Sequence, residues 1–268
     1  MNDTTTLRIT KANLDKDNCY TPSDSLDCDG AIAIDAELGS VSFKGSVRAR
    51  LDIVAGAGSG IEARRGSIEA GGAITVGERI YAASCVTAGK GIDAGKSIQA
   101  GTDIFAALNI KAGTGIEAQD GSVGAGFELA AGAGIQAKFT VKAGMDIVAG
   151  KGIEAQHVIA RKSIRAGWSI VAAETIQAGE AISAGNAIKA GQGVQAGFAI
   201  ACKQELFARL RVFAGLCPTR LVTPEEMAVR CLRLDGGGTV AFGTLIETGK
   251  PAPATPPAKT SPWWKLGR

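Results

Sequence analysis

Between Ile68 and Gly215 the chain repeats one six-residue unit twenty-five times: an aliphatic residue, any residue, Ala, most often Gly, and two more. The run opens with Ile68-Glu69-Ala70-Gly71 and closes with Val212-Phe213-Ala214-Gly215. The first position is always Ile, Val or Leu, and is Ile in 18 units. The third is Ala in 22, with Val76, Arg161 and Cys202 as exceptions, and the fourth is Gly in 16. A fixed period of this kind specifies a stacked array rather than a compact core.

Helix is excluded by the same residues. A Gly in every sixth place costs a helix about 1 kcal/mol each, and the leading position is β-branched. Positions one and three lie two residues apart, so on a strand they share a side. Each unit therefore reads as a short strand with its aliphatic residue and Ala inward, followed by a glycine turn. The step is six from Ile68 to Ile116, gains one residue near Asp120-Gly121 to reach Val123, and is six again to Ile159. It loses one before Ile164 and then holds to Val212.

A longer period overlies the short one. From Ile80, every third unit carries Ala83, Gly101, Gln119, Lys138, Gln156 and Ala173 at its fourth position, so five of these six lack Gly. Ile116, Ile135 and Ile153 share the wording Gly-Ile-Glu/Gln-Ala. Three units per coil predict an all-β, triangular, single-stranded β-solenoid. Val41, Val47, Ile53 and Ile61 extend the pattern upstream. The expectation is about ten coils, or a rod roughly 45–50 Å long at about 4.8 Å per rung.

The chain resembles the bactofilins and other polymer-forming β-solenoid proteins, whose strands alternate aliphatic and small inward residues between glycine turns. The resemblance is one of pattern and covers residues 41–215. It implies a right-handed winding and a cytosolic, non-enzymatic, self-associating scaffold. The hexapeptide acyltransferases share the triangular form, but they place a short residue directly after the aliphatic one. Here Tyr81, Gln99, Phe105 and Lys111 stand in that place.

Composition narrows the function classes. The formal net charge is +3, with 29 basic and 26 acidic residues, too balanced for a nucleic-acid mimic and only faint support for nucleic-acid binding. Residues 2–6 are polar, with no apolar stretch behind them. No run approaches the ~18 apolar residues of a membrane span. The cysteines at 19, 28, 85, 202, 217 and 231 show no CxxC spacing and read as reduced thiols in a cytoplasmic protein.

The flanks differ from the repeat. Residues 1–40 form an acidic, polar segment leading through Ile32 and Ile34 to the first coil. Asp15, Asp17 and Asn18 lack the Gly and distal Glu of a calcium loop. In residues 216–249, Thr223-Pro224-Glu225-Glu226 predicts a capped helix running to about Leu234, followed by a strand from Thr239 to Ile246. This α+β piece is expected to cap the rod or dock a partner. Residues 250–268 read as a Pro-rich, disordered spacer ending in Trp263, Trp264 and Lys265.

Chemistry is sparse. The single His, His157, falls in a turn position and faces outward on this reading. No phosphate loop or paired inward carboxylates can be assembled, and no catalytic, cofactor or metal residues are assigned. The candidate partner-binding residues are His157, Arg161, Lys162, Arg165 and Trp168, a basic stretch with Arg161 as the one charged break in the alanine ladder. Lys138 and Lys142 lie about a coil away. Trp263, Trp264 and Lys265 complete the set, since Trp is a favoured binding anchor. The expected function is a non-enzymatic scaffold that binds itself or another protein. The alternatives are an inhibitor of mobile-element type, gripping a host nucleic-acid-handling or other enzyme through rod and tail, and, remotely, an acyltransferase.

Overall fold

The computed structural model describes residues 5–217 and 220–249. It is an all-β solenoid of about 12 turns, with parallel strands stacked coil upon coil. Three strands make a turn, one on each of three faces. The first face stacks thirteen strands, from Thr6–Ile9 to Thr244–Glu247. The second contains Ile80–Ala82 and Ile98–Ala100, and the third Val86–Ala88 and Ile104–Ala106. The second and third faces merge into one 21-stranded sheet, because Ile153–Ala160 and Ile170–Ala178 each run round the shared corner without a break.

Register follows the repeat. Ile80 stands over Ile61 and under Ile98, and Ala82 over Ala63 and under Ala100. Both inward positions are closed to water: Ile98 is 0% exposed and Ala100 2%. Each fully buried aliphatic side chain contributes on the order of 1.5–3 kcal/mol, which no single coil can realise alone. Between the two inward residues one side chain points out, so each face carries an outward column rising by one residue per turn.

The solenoid is longer than the repeat suggested. Thr6–Ile9 already pairs with Ala31–Ile34, with Ile9 fully buried. The early coils are irregular, with Ile32, Ile53 and Ile74 in successive rungs, and the extra residues lie at corners. At the other end the expected helix is absent. Residues 224–227 form one turn, and Ala228–Cys231 joins the first face against Ile200–Cys202. The capping chemistry is nonetheless made, since the Thr223 amide donates to the Glu226 carboxylate at 3.0 Å. The helix stops there because the next residues have a period of two. Val229 and Cys231 are buried in the core, while Arg230 is exposed between them. Strands Arg233–Asp235, Thr239–Phe242 and Thr244–Glu247 then supply the last rung on each face.

The corner glycines owe their place to a close approach, not to a special backbone angle. Gly95 is not among the residues with positive φ. A Cβ built on it would lie 2.1 Å from the carbonyl oxygen of Gly77 in the preceding coil. The fourth-position residues Gln119, Lys138, Gln156 and Ala173 all fall at the corner between the second and third faces.

The described segment 220–227 is held by Arg220. Its guanidinium donates to both Glu226 oxygens, at 2.8 and 2.6 Å, and lies 4.4 Å over the Phe198 ring. These Arg220 bonds, with the Thr223 amide, hold the Glu226 carboxyl down at about 2.

Two predictions follow from these contacts. Gly95→Ala should cost about 1–3 kcal/mol in urea unfolding, since the neighbouring backbone has to move. Gly152→Ala should stay within about 0.5 kcal/mol, because the nearest atom to its added Cβ is 3.5 Å away. Glu226 should titrate near 2 by carboxyl NMR. Its folded value lies below the ordinary 4.5, so its contribution is complete above that value and is lost as pH falls toward 2.

Candidate interaction surfaces

Residues 157–168 are contiguous in sequence, but the coil carries them round the rod. His157 lies near the corner between the second and third faces, within the strand Ile153–Ala160. Arg161 and Lys162 share the next corner, where the Lys162 amide donates to Met145 of the coil below. Arg165 stands on the first face between Val148 and Ser183. Trp168 occupies the corner beyond, between Lys151 and Asn186, and is 63% exposed. The structure thus brings Arg161 and Lys162 together and separates them from His157 and Trp168. Lys138 is held by Asp120 at 2.7 Å, and Lys142 stands on the third face. Trp263, Trp264 and Lys265 lie outside the described residues.

The alanine ladder is also unbroken where a charged break was expected. Val158 and Ala160 are the inward pair, at 0% and 3% exposure, while Ile159 faces outward and Arg161 lies on the corner. The deleted residue therefore falls before Val158, at a register shift between Ala155 and His157. His157 bridges the coils at this point. Its Nδ1 lies 2.9 Å from Thr175 Oγ1, and its Nε2 lies 3.6 Å from Glu174 Oε2. Glu174 in turn accepts from Gln192 of the next coil at 3.1 Å. This chain of polar contacts staples three coils where the repeat slips.

Other outward columns carry coil-to-coil pairs of the same kind. Arg48 bonds Glu69 at 3.0 Å, Gln99 bonds Glu117 at 3.1 Å, and Lys189 bonds Glu205 at 2.7 Å. Pairs this exposed contribute little each. Phe105 is exposed on the third face, Leu108 and Phe127 at the corner after it and Phe139 at the corner before it, and the Phe105 ring covers Gly124. Reading the outward positions coil by coil would have exposed this cluster; reading along the chain did not.

The two ends of the rod differ. At the N-terminal end a loop closes the core. Tyr20 is 7% exposed and its ring centroid lies 5.2 Å from that of fully buried Phe43. Leu14 and Tyr20 form an antiparallel bridge. Asp15 caps the loop by accepting the Cys19 and Asp17 amides, both at 2.9 Å, and the Cys19 bond does most to hold its carboxyl below the usual range. These residues, which lack the Gly and distal Glu of a calcium loop, serve the turn itself.

At the C-terminal end the core ladders stop without such a lid. Leu245 continues the column of Val229, yet it is 37% exposed where Val229 is 0%. Leu234 and Val240, the last inward residues of the other two faces, are only partly buried. Among the described residues nothing covers this rung, whose strands present unpaired edges.

No protein-family model, curated protein or solved structure matches the chain. No helix among the described residues is long and apolar enough to cross a membrane.

The register assignment is tested by two substitutions. Arg161→Ala should shift stability by no more than about 0.5 kcal/mol. Val158→Asp, which buries an unpaired charge, should cost several kcal/mol. The reverse order in urea melts would put Arg161 in the ladder.

Proposed function

We propose that the chain is a non-enzymatic scaffold: a stiff cytoplasmic rod that presents its surface to another copy of itself or to another protein. The observation that carries this reading is the difference between the two ends. Each interior coil is stabilised by neighbours on both sides, whereas the last rung has a neighbour on one side only among the described residues. An exposed apolar rung with open strand edges is a surface that gains by association. Because the N-terminal end is sealed, growth from both ends is not expected. Two rods meeting at their C-terminal ends about a twofold axis form a closed, isologous pair.

The polar staples at His157, Thr175 and Glu174 support the same reading, because they join coils rather than gather round a cleft. Arg161 and Lys162 stand at a different corner from Trp168, so the rod surface lends less support to the alternative of an inhibitor gripping through rod and tail.

Light scattering after gel filtration tests the proposal. Among the described residues the paired strands lie within 6–247, so a chain ending at Gly249 retains them. It should run at twice the monomer mass and stay so in high salt, since the contact is apolar. Leu245→Asp in that chain should return it to monomer. A monomer at every concentration, with or without Leu245→Asp, would contradict self-association.

A further inference from the structure

We infer that the open C-terminal rung is the docking site of the chain's own C-terminal segment, with Trp263 and Trp264 covering Leu234, Val240 and Leu245. The consequence for assembly rests on the scaffold reading above, whereas the docking itself rests on the exposed rung.

Three observations select this occupant. The first is the rung itself, three inward apolar positions that sit exposed or half-covered at the end of an otherwise dry core. At the N-terminal end the first inward residues are covered, with Ile9 0% and Tyr20 7% exposed.

The second is where the segment starts. The Gly249 amide donates to the Leu232 carbonyl at 3.0 Å, at the corner of the last turn. The segment is therefore tethered at the edge of the surface it would cover. The residues from 250 to 262 separate that anchor from Trp263. At about 3.1 Å per residue in the extended form that prolines favour, they span more than enough to reach any point on the end of the rod. Closing a loop of this length costs little more than closing a shorter one.

The third is composition. Residues 250–268 carry Trp263 and Trp264, two of the three Trp residues in the sequence. Two adjacent indoles bring a large apolar area at small entropic cost, matched to a surface made of Leu and Val.

A docked segment would shield the rung on which pairing depends. The full chain then stays single until something displaces the indoles, and pairing becomes conditional.

The test uses the full chain carrying Trp168→Phe, so that only Trp263 and Trp264 fluoresce. The proposal predicts blue-shifted emission and acrylamide quenching several-fold weaker than in a free peptide of residues 250–268, with no change on dilution. Leu245→Asp should abolish both effects. Ile246→Asp, which places the same charge on the outward side of the same strand, should leave them intact and so controls for folding. Quenching equal to that of the free peptide, or indifference to Leu245→Asp, would overturn the docking. Burial that disappears on dilution would assign the rung to a second copy instead and would equally overturn it. The scaffold reading is judged separately: Trp263→Ala with Trp264→Ala should convert the full chain from monomer to dimer. A buried indole pair whose removal leaves a monomer would keep the docking and refute the pairing.

Discussion

The stacking of each coil on the one before it, at the separation set by backbone hydrogen bonds, governs everything else in this molecule. Gly89 donates to the Ala70 carbonyl and Gly95 to the Val76 carbonyl, each at 2.9 Å, and the same link recurs from corner to corner. That spacing forces the corner residue against the preceding carbonyl, which is why Gly recurs there. It also dictates one small and one branched inward side chain per strand, so that like sits on like up the rod. Ile ladders and Ala ladders fill the narrow interior, and the ladders leave each face flat.

Much of this was legible in the sequence, because a strict period leaves few structures open. The strand content, the three strands per turn and the inward identity of Ile and Ala all follow from spacing. Misreadings arose where two local rules competed. At Thr223 to Glu226 the capping residues are present and their hydrogen bond forms, but the alternation of Val229, Arg230 and Cys231 takes the chain back into the sheet. Near Val158 and Ile159, either residue satisfies the aliphatic position. Only the neighbouring coil decides, and it selects Val158 with Ala160.

Surface organisation was far less legible. Neighbours on a solenoid are about eighteen residues apart in sequence, so a contiguous run such as 157–168 is spread round the rod. Residues that share a surface, such as Phe105 and Phe127, belong to different coils. The sealing of the N-terminal end by Tyr20 and Phe43 was hidden for the same reason, since those side chains belong to an irregular loop and an early strand. The difference between the two ends, on which the functional reading rests, has no signature in the repeat itself.

The register of the stack is the central claim, and a spectroscopic ruler along one face tests it most directly. Asp93, Arg165 and Arg230 occupy the outward column of the first face, with Arg165 four rungs and Arg230 seven rungs from Asp93. Spin labels placed in pairs at these positions should give distances of about 19 and 34 Å, rising by about 4.8 Å per rung. Distances that fail to scale with the number of rungs would contradict the stacked coils and everything built on them.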